Sequence, residues 1–430
     1  MDILSISYLK EKWQHAGFQR YFQNMGWSFS GRIFSLLASL FVGALVARYL
    51  GPERYGILNY ALSFVSIFGF LSSFGIDNIL VRDIIKYREN EDEILSTAFI
   101  LKLIGGIIIV LVSTIASVLI KNDLYTTLLV FIYSLTLITA ALNVTDNYFQ
   151  SIVKYKYALI AQITSTVLVS ILKLYLMYEK FGTGWFIGAL VFETGVSAII
   201  LFVFFIKNGK RLNLKFNSGF AKKMLADAWP FIFTAAFYLI YSKIDQVMIG
   251  KMLDTISLGI YAAGVKLAEI WYFVPTIISG VLFPAIMNAK MTHDEIYKNR
   301  LKKIFVVVLA ASTAIALFEF IFAKYLILIL FGKAYSAAVI ILKIYTWAGI
   351  VVALNMVLSQ YLTIENRTKI IMYSSFAGAF ANVMLNVILI PRMGITGSAW
   401  ATLISYSFIP IIILANHLYS NNDTNPPSEK

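Results

Sequence analysis

The sequence contains no cysteine and only three histidines among its 430 residues. The absence of thiols excludes a disulfide framework and a thiolate metal site. His15, His293 and His417 are far apart, and they fall in or near predicted termini and loops. A histidine-based catalytic centre is therefore not expected.

Charged residues are also scarce. They make up 14% of the chain, whereas soluble globular proteins have about 25%. Hydrophobic residues make up 59%, and the mean hydropathy is +0.76. Many apolar runs approach or exceed the roughly 18–20 residues that cross a bilayer. Stretches such as residues 107–120 lack the alternation typical of a transmembrane barrel. The composition therefore predicts an all-α polytopic membrane protein.

The net charge is +13, which in a soluble protein would favour a nucleic-acid partner. In a membrane protein, however, Lys and Arg accumulate in cytoplasmic loops. Here they are most frequent in the N-terminal segment, in alternate loops and in the C-terminal segment, and the richest loop is 207–223. We predict a multi-pass protein of the plasma (inner) membrane, with both termini in the cytoplasm and no nucleic-acid partner.

Twelve transmembrane helices are predicted between two flanking segments. The spans are about 27–50, 56–79, 94–120, 124–149, 156–178, 184–206, 228–250, 256–289, 301–323, 335–363, 368–390 and 396–418. Residues 1–26 have no continuous apolar core, which indicates an amphipathic interfacial segment and no cleavable signal peptide. Residues 420–430 are polar and are predicted to be disordered. Pro275 and Pro284 are expected to kink the eighth span or to end it early.

Short motifs recur in the two halves of the chain in the same order. The matched pairs are Arg48-Tyr49-Leu50 with Lys251-Met252-Leu253, Gly56-Ile57 with Gly259-Ile260, Gln150 with Gln360, and Thr183-Gly184 with Thr396-Gly397. Two copies of six helices have the same topology, so they form a parallel repeat with the binding site between the lobes. We predict a six-helix lobe at 27–206, a basic cytoplasmic connector at 207–227 and a second six-helix lobe at 228–419, around a central cavity.

Further motifs resemble those of a known family. They are Arg48-Tyr49-Leu50-Gly51-Pro52-Glu53-Arg54-Tyr55-Gly56, Phe74-Gly75-Ile76-Asp77, Val81-Arg82-Asp83, Tyr148-Phe149-Gln150, Lys154-Tyr155-Lys156, Ile244-Asp245-Gln246-Val247-Met248-Ile249-Gly250 and Leu258-Gly259-Ile260-Tyr261-Ala262-Ala263. In these motifs the chain resembles the polysaccharide flippases of the multidrug/oligosaccharidyl-lipid/polysaccharide exporter superfamily. The resemblance implies two lobes around a central cavity. It also implies alternating access that moves an undecaprenyl- or dolichyl-diphosphate oligosaccharide from the inner to the outer leaflet.

Ionisable side chains inside apolar spans usually face a cavity, because burying a charge in a bilayer is costly. The candidates for contact with the diphosphate or the glycan are Arg32, Arg48, Glu193, Lys243, Lys266 and Glu269. Lys and Arg pair well with phosphate. Arg32 could instead snorkel to the interface, and Arg48 could anchor a helix end. Lys266 and Glu269 are spaced i, i+3 and could pair with each other. Snorkelling is the expected role of Lys102, Lys173 and Lys343.

A second polar set within the spans suits energy coupling. It comprises Asp245, Asn382, Asn386, Ser398 and Thr402. The two asparagines are spaced i, i+4, as are the serine and the threonine, so each pair shares a helix face. These oxygens suit Na⁺, and Asp245 could alternatively carry a proton. The structural alternative is a hydrogen-bonded set that holds helices together. Apart from this coupling ion, no cofactor and no metal are predicted.

The sequence thus predicts a flippase for a lipid-diphosphate-linked oligosaccharide, such as an O-antigen repeat unit, that is coupled to a cation. The expected partners are a polyprenyl-diphosphate oligosaccharide, membrane lipid and proteins of glycan polymerisation or assembly, and the flippase is expected to be a monomer. A cation-coupled multidrug or metabolite antiporter of the same fold is the alternative, although the basic residues within the spans favour an anionic substrate. A membrane glycan polymerase is disfavoured because no large outer loop or paired-carboxylate motif is evident, so the protein is not expected to be an enzyme.

Overall fold

The computed structural model describes residues 16–292, 294–365 and 367–422. Side chains are described from residue 31 to residue 415, apart from those at 32, 230, 280–281, 283–285, 291–294 and 366. This part of the chain is almost entirely helical and contains no β-strand. Ten of its helices are long and apolar enough to cross a membrane. The prediction of an all-α, multi-pass membrane protein is confirmed. Most of the predicted interfacial segment and disordered tail lies outside the described residues.

The helices follow one another through short connections. In chain order they are α1 (Ala16–Ile67), α2 (Phe70–Ser73), α3 (Asp77–Lys86), α4 (Glu91–Leu119), α5 (Leu124–Thr139), α6 (Val144–Ser151), α7 (Lys156–Tyr178), α8 (Thr183–Lys207), α9 (Ser218–Met252), α10 (Thr255–Ile270), α11 (Phe273–Thr292), α12 (Asp294–Leu330), α13 (Ala338–Ile364), α14 (Thr368–Met393) and α15 (Ile395–Asn422). Single 3₁₀ turns occupy Arg88–Asn90, Ala140–Asn143 and Lys333–Tyr335.

The first two predicted spans are joined in α1, which bends at Gly51 (φ 71°, ψ 169°). Glycine tolerates a positive φ, and the fixed φ of Pro52 suits the first turn of the segment that follows. The predicted continuation of the second span to residue 79 is wrong, because α1 ends at Ile67. The chain turns where Phe74 and Gly75 adopt positive φ values of 47° and 65°, and α3 begins after this turn.

The eighth predicted span ends early, as expected from its prolines. The break lies at Trp271–Tyr272, where α10 has ended at Ile270 and α11 has not yet begun. Pro275 lies in the first turn of α11, where a residue without an N–H group leaves no hydrogen bond unmade. This break places backbone polar groups in the middle of the span, which membrane proteins tolerate where the groups face protein or a wet cavity.

One compact unit contains the described residues of Met1–Val42, Leu71–Asp123 and Thr127–Trp229. Within it Lys102 is only 2% exposed, and its ammonium group donates to the carboxylate of Asp77 and to the amide oxygen of Asn147. The predicted snorkelling of Lys102 is therefore wrong. Asp77 is the first residue of α3, and its ion pair with Lys102 holds this lysine inside the unit instead.

The basic connector is docked on the same unit by polar contacts. The Lys210 ammonium lies 2.7 Å from a carboxylate oxygen of Glu91, and this hydrogen bond raises the pKa of Lys210. The amide of Asn217 donates to the carboxylate of Glu93 at 2.9 Å. The connector thus contacts the first turn of α4, where carboxylates are also favoured by the helix dipole.

The other compact unit contains Gly43–Phe70, Leu124–Thr126 and the described residues of Pro230–Lys430. In it α1 crosses α10 very closely, because Gly56 lies against the backbone of Thr255 and Gly259 lies against the backbone of Pro52. Helix α13 packs against α10, α12 and α15, and α14 packs against α15. The predicted lobe boundaries and the central cavity stay predictions.

Candidate functional site

Asp245 on α9 is fully buried. Its Oδ2 atom accepts a hydrogen bond of 2.6 Å from the Tyr261 hydroxyl of α10 and a longer one of 3.4 Å from the Thr402 hydroxyl of α15. Its Oδ1 atom accepts a 2.7 Å bond from the backbone N–H of Gln246. No ion pair involving Asp245 is found among the side chains that the structure describes. This carboxylate therefore has hydroxyl and amide donors but lacks a salt-bridge partner there.

Three of the four other predicted coupling residues form a hydrogen-bonded network on α14 and α15 together with Ser405, whereas the Thr402 hydroxyl bonds Asp245; the three are Asn382, Asn386 and Ser398. The Asn386 amide donates to the side-chain oxygen of Asn382 at 3.0 Å and accepts from the Ser398 hydroxyl at 2.7 Å. The Asn382 amide in turn donates to Ser405 at 2.9 Å. All of these side chains are fully buried. The predicted i, i+4 pairs thus lie on the faces that α14 and α15 turn toward each other.

The hydrogen bonds of Asp245 and those of the two asparagines both reach α15. Thr402 bonds Asp245, and Ser398, one turn away, bonds Asn386. The donor atoms are carboxylate, amide and hydroxyl oxygens, which hard cations prefer. The described residues contain no group of three or more His, Cys, Asp and Glu that could hold a metal ion. A single carboxylate with neutral oxygens matches a monovalent cation. The same bonds also fit the structural alternative, a network that holds helices together.

Lys243 and Glu269 form an ion pair between α9 and α10. The lysine ammonium lies 3.3 Å from Oε2 of Glu269, and the Tyr345 hydroxyl donates to Oε1 at 3.3 Å. The two charged side chains stay 27% and 28% exposed. Lys243 lies on α9, which is long and apolar enough to cross a membrane. Lys243 is two residues from Asp245 and points away from it, since positions i and i+2 are about 200° apart on a helix.

Lys266 lies one turn before Glu269 on α10 and is half-buried. Its ammonium group rests against Gly43 of α1, where any Cβ would collide with it. The Glu269 carboxylate engages Lys243, and the expected pair of Lys266 with Glu269 stays a prediction. Arg32 belongs to α1, and its side chain lies outside the described residues.

Arg48 binds a helix end. Its guanidinium group donates to the backbone carbonyls of Leu328 at 3.2 Å and of Ile329. These are among the last carbonyls of α12, which have no partner within the helix. Positive charge at a helix C-terminus is also favoured by the dipole. This geometry agrees with the anchoring role and leaves Arg48 occupied by protein groups.

Glu193 on α8 lies in the other unit. Its Oε2 atom is 3.5 Å from the Lys173 ammonium of α7, and its Oε1 atom accepts from the Thr166 hydroxyl at 3.4 Å. Lys173 therefore pairs with a carboxylate on the neighbouring helix, which snorkelling alone did not anticipate. The structure thus places Glu193 with Lys173 and Thr166 in one unit, while Lys243, Lys266, Glu269 and Arg48 lie in the other.

Several buried polar residues were missed from the sequence, among them Ser405, Tyr261 and Glu319. Tyr261, which bonds Asp245, lies in one of the motifs that carry the family resemblance, and this signal was available. Glu319 is a carboxyl residue inside the apolar run of α12 and is 2% exposed. It carries the same signal as Asp245, an acid within a membrane span, and this signal was overlooked.

Comparison with known proteins decides the family. The family model described as polysaccharide biosynthesis protein matches residues 21–290 of this chain. The chain belongs to this family. A second model, MatE, matches residues 230–388. The multi-pass membrane fold of the described residues agrees with this family.

Individual relatives agree with this assignment. A probable flippase, AglR of Haloferax volcanii, is 25% identical over 57% of this chain, which spans about half (52%) of the relative's length. The solved structure of an inward-facing multidrug resistance MATE family transporter of the MOP superfamily is similar with a TM-score of 0.76, 15% identity, and coverage of 94% of this chain and 100% of that one. The lipid II flippase MurJ in an inward closed conformation gives a TM-score of 0.70, 17% identity, and coverage of 91% and 87%. At these identities, both structures support the fold alone.

Proposed function

We propose that this protein moves a lipid-diphosphate-linked oligosaccharide from the inner to the outer leaflet by alternating access, coupled to a monovalent cation. The single observation that carries the proposal is the partly exposed Lys243–Glu269 pair between α9 and α10, with Lys266 one turn away. Ionisable side chains within apolar segments usually face a cavity or a transport pathway. A second lysine beside the pair adds positive charge, which favours binding of a diphosphate.

The chemistry of the substrate explains why lysines are placed here. A diphosphate and a sugar chain lose their hydration when they enter the roughly 30 Å of hydrocarbon, and without replacement contacts this loss is prohibitive. Lysine ammonium groups replace part of that hydration by charge-assisted hydrogen bonds to phosphate oxygens. Glu269 holds Lys243 in place until the diphosphate competes for the ammonium group.

The coupling cation binds at Asp245 in this proposal. Thr402 supplies a hydroxyl oxygen 3.4 Å from the carboxylate, and Ser398, Asn386 and Asn382 extend the polar site along α14 and α15. The cation compensates the buried negative charge, which otherwise has only hydrogen-bond donors around it. Asp245 and Lys243 are both on α9. An ion bound between α9, α14 and α15 therefore favours one packing of α9, and this packing also determines where Lys243 lies.

Reconstituted transport tests the substrate class. The protein is placed in liposomes with a fluorescent polyprenyl-diphosphate oligosaccharide, and its transfer between leaflets is measured. Lys243→Ala and Lys266→Ala are each expected to abolish transfer while the protein still elutes as one species. Lys343→Ala is the matched control, because that ammonium lies over the Phe320 ring at 5.1 Å and is expected to be dispensable. Normal transfer by both single variants would refute the cationic site.

The alternative function is a cation-coupled multidrug or metabolite antiporter, which the MatE match over residues 230–388 keeps under consideration. Transport of cationic dyes by the same liposomes, unaffected by Lys243→Ala, would favour it.

We further propose that the protein acts as a monomer in the plasma (inner) membrane with both termini in the cytoplasm. Glycan polymerase and assembly proteins are its proposed partners, and O-antigen is one candidate glycan.

A further inference from the structure

A small cavity lies beside the break between α10 and α11. Its walls come from α10, α11, α12 and α13 and include Tyr272, Ser312, Glu319 and Thr346. Its volume is about 20 Å³, and one ordered water needs roughly 10–15 Å³. The cavity can therefore hold a single water molecule inside a membrane-spanning helix bundle.

Three residues that line this cavity each have a buried polar atom without a hydrogen-bond partner within the described protein. The atoms are Oε1 of Glu319, Oγ of Ser312 and the hydroxyl oxygen of Tyr272. Buried polar groups are almost always hydrogen-bonded, and an unpaired one destabilises the fold. Three such atoms around one water-sized space indicate a built polar site. A scatter of independent packing faults would not converge on one cavity.

The surroundings of Glu319 favour a bound proton over a negative charge. Its Oε2 atom accepts a 2.5 Å hydrogen bond from the Thr346 hydroxyl, and the side chain is 2% exposed. Of the charged groups on the packed helices, Glu269 is paired with Lys243 and Lys290 with Glu365, the Lys266 ammonium lies against Gly43, and Lys343 lies over the Phe320 ring. None of the described ion pairs includes Glu319. Tyr272 is the titratable group that shares the cavity with Glu319. A carboxylate in such a site would lack a counter-charge, which is costly within a membrane.

A metal ion fits these groups poorly. Ca²⁺, for example, takes six to eight oxygen ligands. The cavity offers only one carboxyl group, hydroxyls and space for about one water. A proton needs only one acceptor atom and one hydrogen-bond partner. Oε1 of Glu319 is that acceptor, because Oε2 is already occupied by Thr346.

We propose that Glu319 is a proton-binding site. Its Oε1 atom carries the proton and donates a hydrogen bond to one water, which Ser312 and Tyr272 hold in place. Protonation transfers H⁺ from a hydronium ion to the carboxylate and leaves one neutral water behind. Gly349 helps to form the site, because the Tyr272 ring packs over it and a Cβ there would come within 3.2 Å of that ring. This site is separate from Asp245 and does not depend on the identity of the transported lipid.

Infrared difference spectroscopy of the purified full chain tests this site directly. The wild type in sodium-free buffer near neutral pH is expected to show the carbonyl band of a protonated carboxylic acid. The band is expected to be lost in Glu319→Gln and to persist in Asp245→Asn. Glu89→Gln, which removes an exposed carboxyl group, is the matched control and is expected to leave the band unchanged.

Two further outcomes keep the proposal falsifiable. Thr346→Val removes the donor to Oε2, so the band is expected to move to higher frequency even if Glu319→Gln does not fold. Spectra of the wild type and Glu319→Gln that superimpose in the carboxylic-acid region would overturn the proposal. A last measurement adds Na⁺ to Asp245→Asn at constant pH. Loss of the carboxylic-acid band would also overturn the proposal, because Glu319 would then bind sodium instead of a proton.

Discussion

The Tyr261 hydroxyl donates a 2.6 Å hydrogen bond to the carboxylate of Asp245, and both side chains are fully buried. A tyrosine of α10 therefore positions the acid that we propose as the cation ligand. The same helix carries Lys266 and Glu269, so one rigid element connects the proposed coupling site with the proposed substrate site. A shift of α10 would change both sites together.

Removing this hydroxyl provides the first test. Tyr261→Phe is expected to lower the free energy of unfolding by about 1.5–3 kcal/mol, the usual contribution of a hydrogen bond to a charged group. It is also expected to weaken stabilisation by Na⁺, measured as the shift of the thermal midpoint with ion concentration. Tyr335→Phe is the control, because that buried hydroxyl donates to the carbonyl of Ala47 at 2.7 Å. The control should lose stability without a change in its sodium response.

Neutralising Asp245 tests the coupling ion itself. Asp245→Asn is expected to remove the dependence of lipid transfer on Na⁺ or on a proton gradient, because no carboxylate is left to bind the ion. Asp254→Asn is the control. Asp254 caps α10 by accepting from the Ser257 N–H at 2.7 Å, and asparagine caps equally well. An ion dependence that survives Asp245→Asn would rule out this site.

Single charged residues in apolar sequence were readily interpreted, but their partners were not. An acid or a lysine within a membrane span stands out by residue type alone, and Asp245, Lys243 and Glu269 were found in this way. The pairing of Lys243 with Glu269 depends on how α9 and α10 pack, and helical periodicity within one segment does not contain that information. The i, i+3 rule relates Glu269 to Lys266 within α10 and carries no information on a partner from α9.

The interruptions of the helices show the same limit. Proline indicated that the eighth span would end early, but the break falls at Trp271–Tyr272, upstream of Pro275, where Tyr272 packs over Gly349 of another helix. Helix α2 ends at Ser73, just before the positive φ of Phe74, a residue that local preferences would not select for this conformation. Tertiary contacts decide these positions, so the long apolar helices were predictable and their breaks were only partly so.

The ion pair of Lys243 with Glu269 predicts opposite effects for its two members. Glu269→Gln frees the ammonium group, and because a partly exposed pair contributes about 0–1 kcal/mol, the affinity for a polyprenyl diphosphate should rise by at most about fivefold. Lys243→Ala should lose most of that affinity. The measurement is binding of the lipid diphosphate to the detergent-solubilised protein. If both substitutions weakened binding equally, the intact ion pair would be required for binding. The hypothesis that Glu269 competes with the diphosphate for Lys243 would then be wrong.

The close crossing of α1 and α10 predicts a steric effect. A Cβ at Gly259 would collide with the carbonyl of Pro52, so Gly259→Ala must push the helices apart. Overpacking of this kind costs about 1–3 kcal/mol of the free energy of unfolding. Gly188→Ala on α8 is the matched control, since no atom lies within 4 Å of the added methyl group. The control should be neutral or slightly stabilising, because alanine is the better helix former. Equal stability of both variants would show that the crossing yields easily.

The predicted orientation can be tested without a background signal, because the chain has no cysteine of its own. Ser218→Cys introduces an exposed thiol where the basic connector meets α9. A membrane-impermeant maleimide is expected to label it only from the cytoplasmic side, since Lys and Arg are retained there. Lys180→Cys, between α7 and α8, is expected to be labelled only from the outside. The reverse pattern would invert the topology, and Arg48 and the end of α12 that it binds would then lie on the cytoplasmic side.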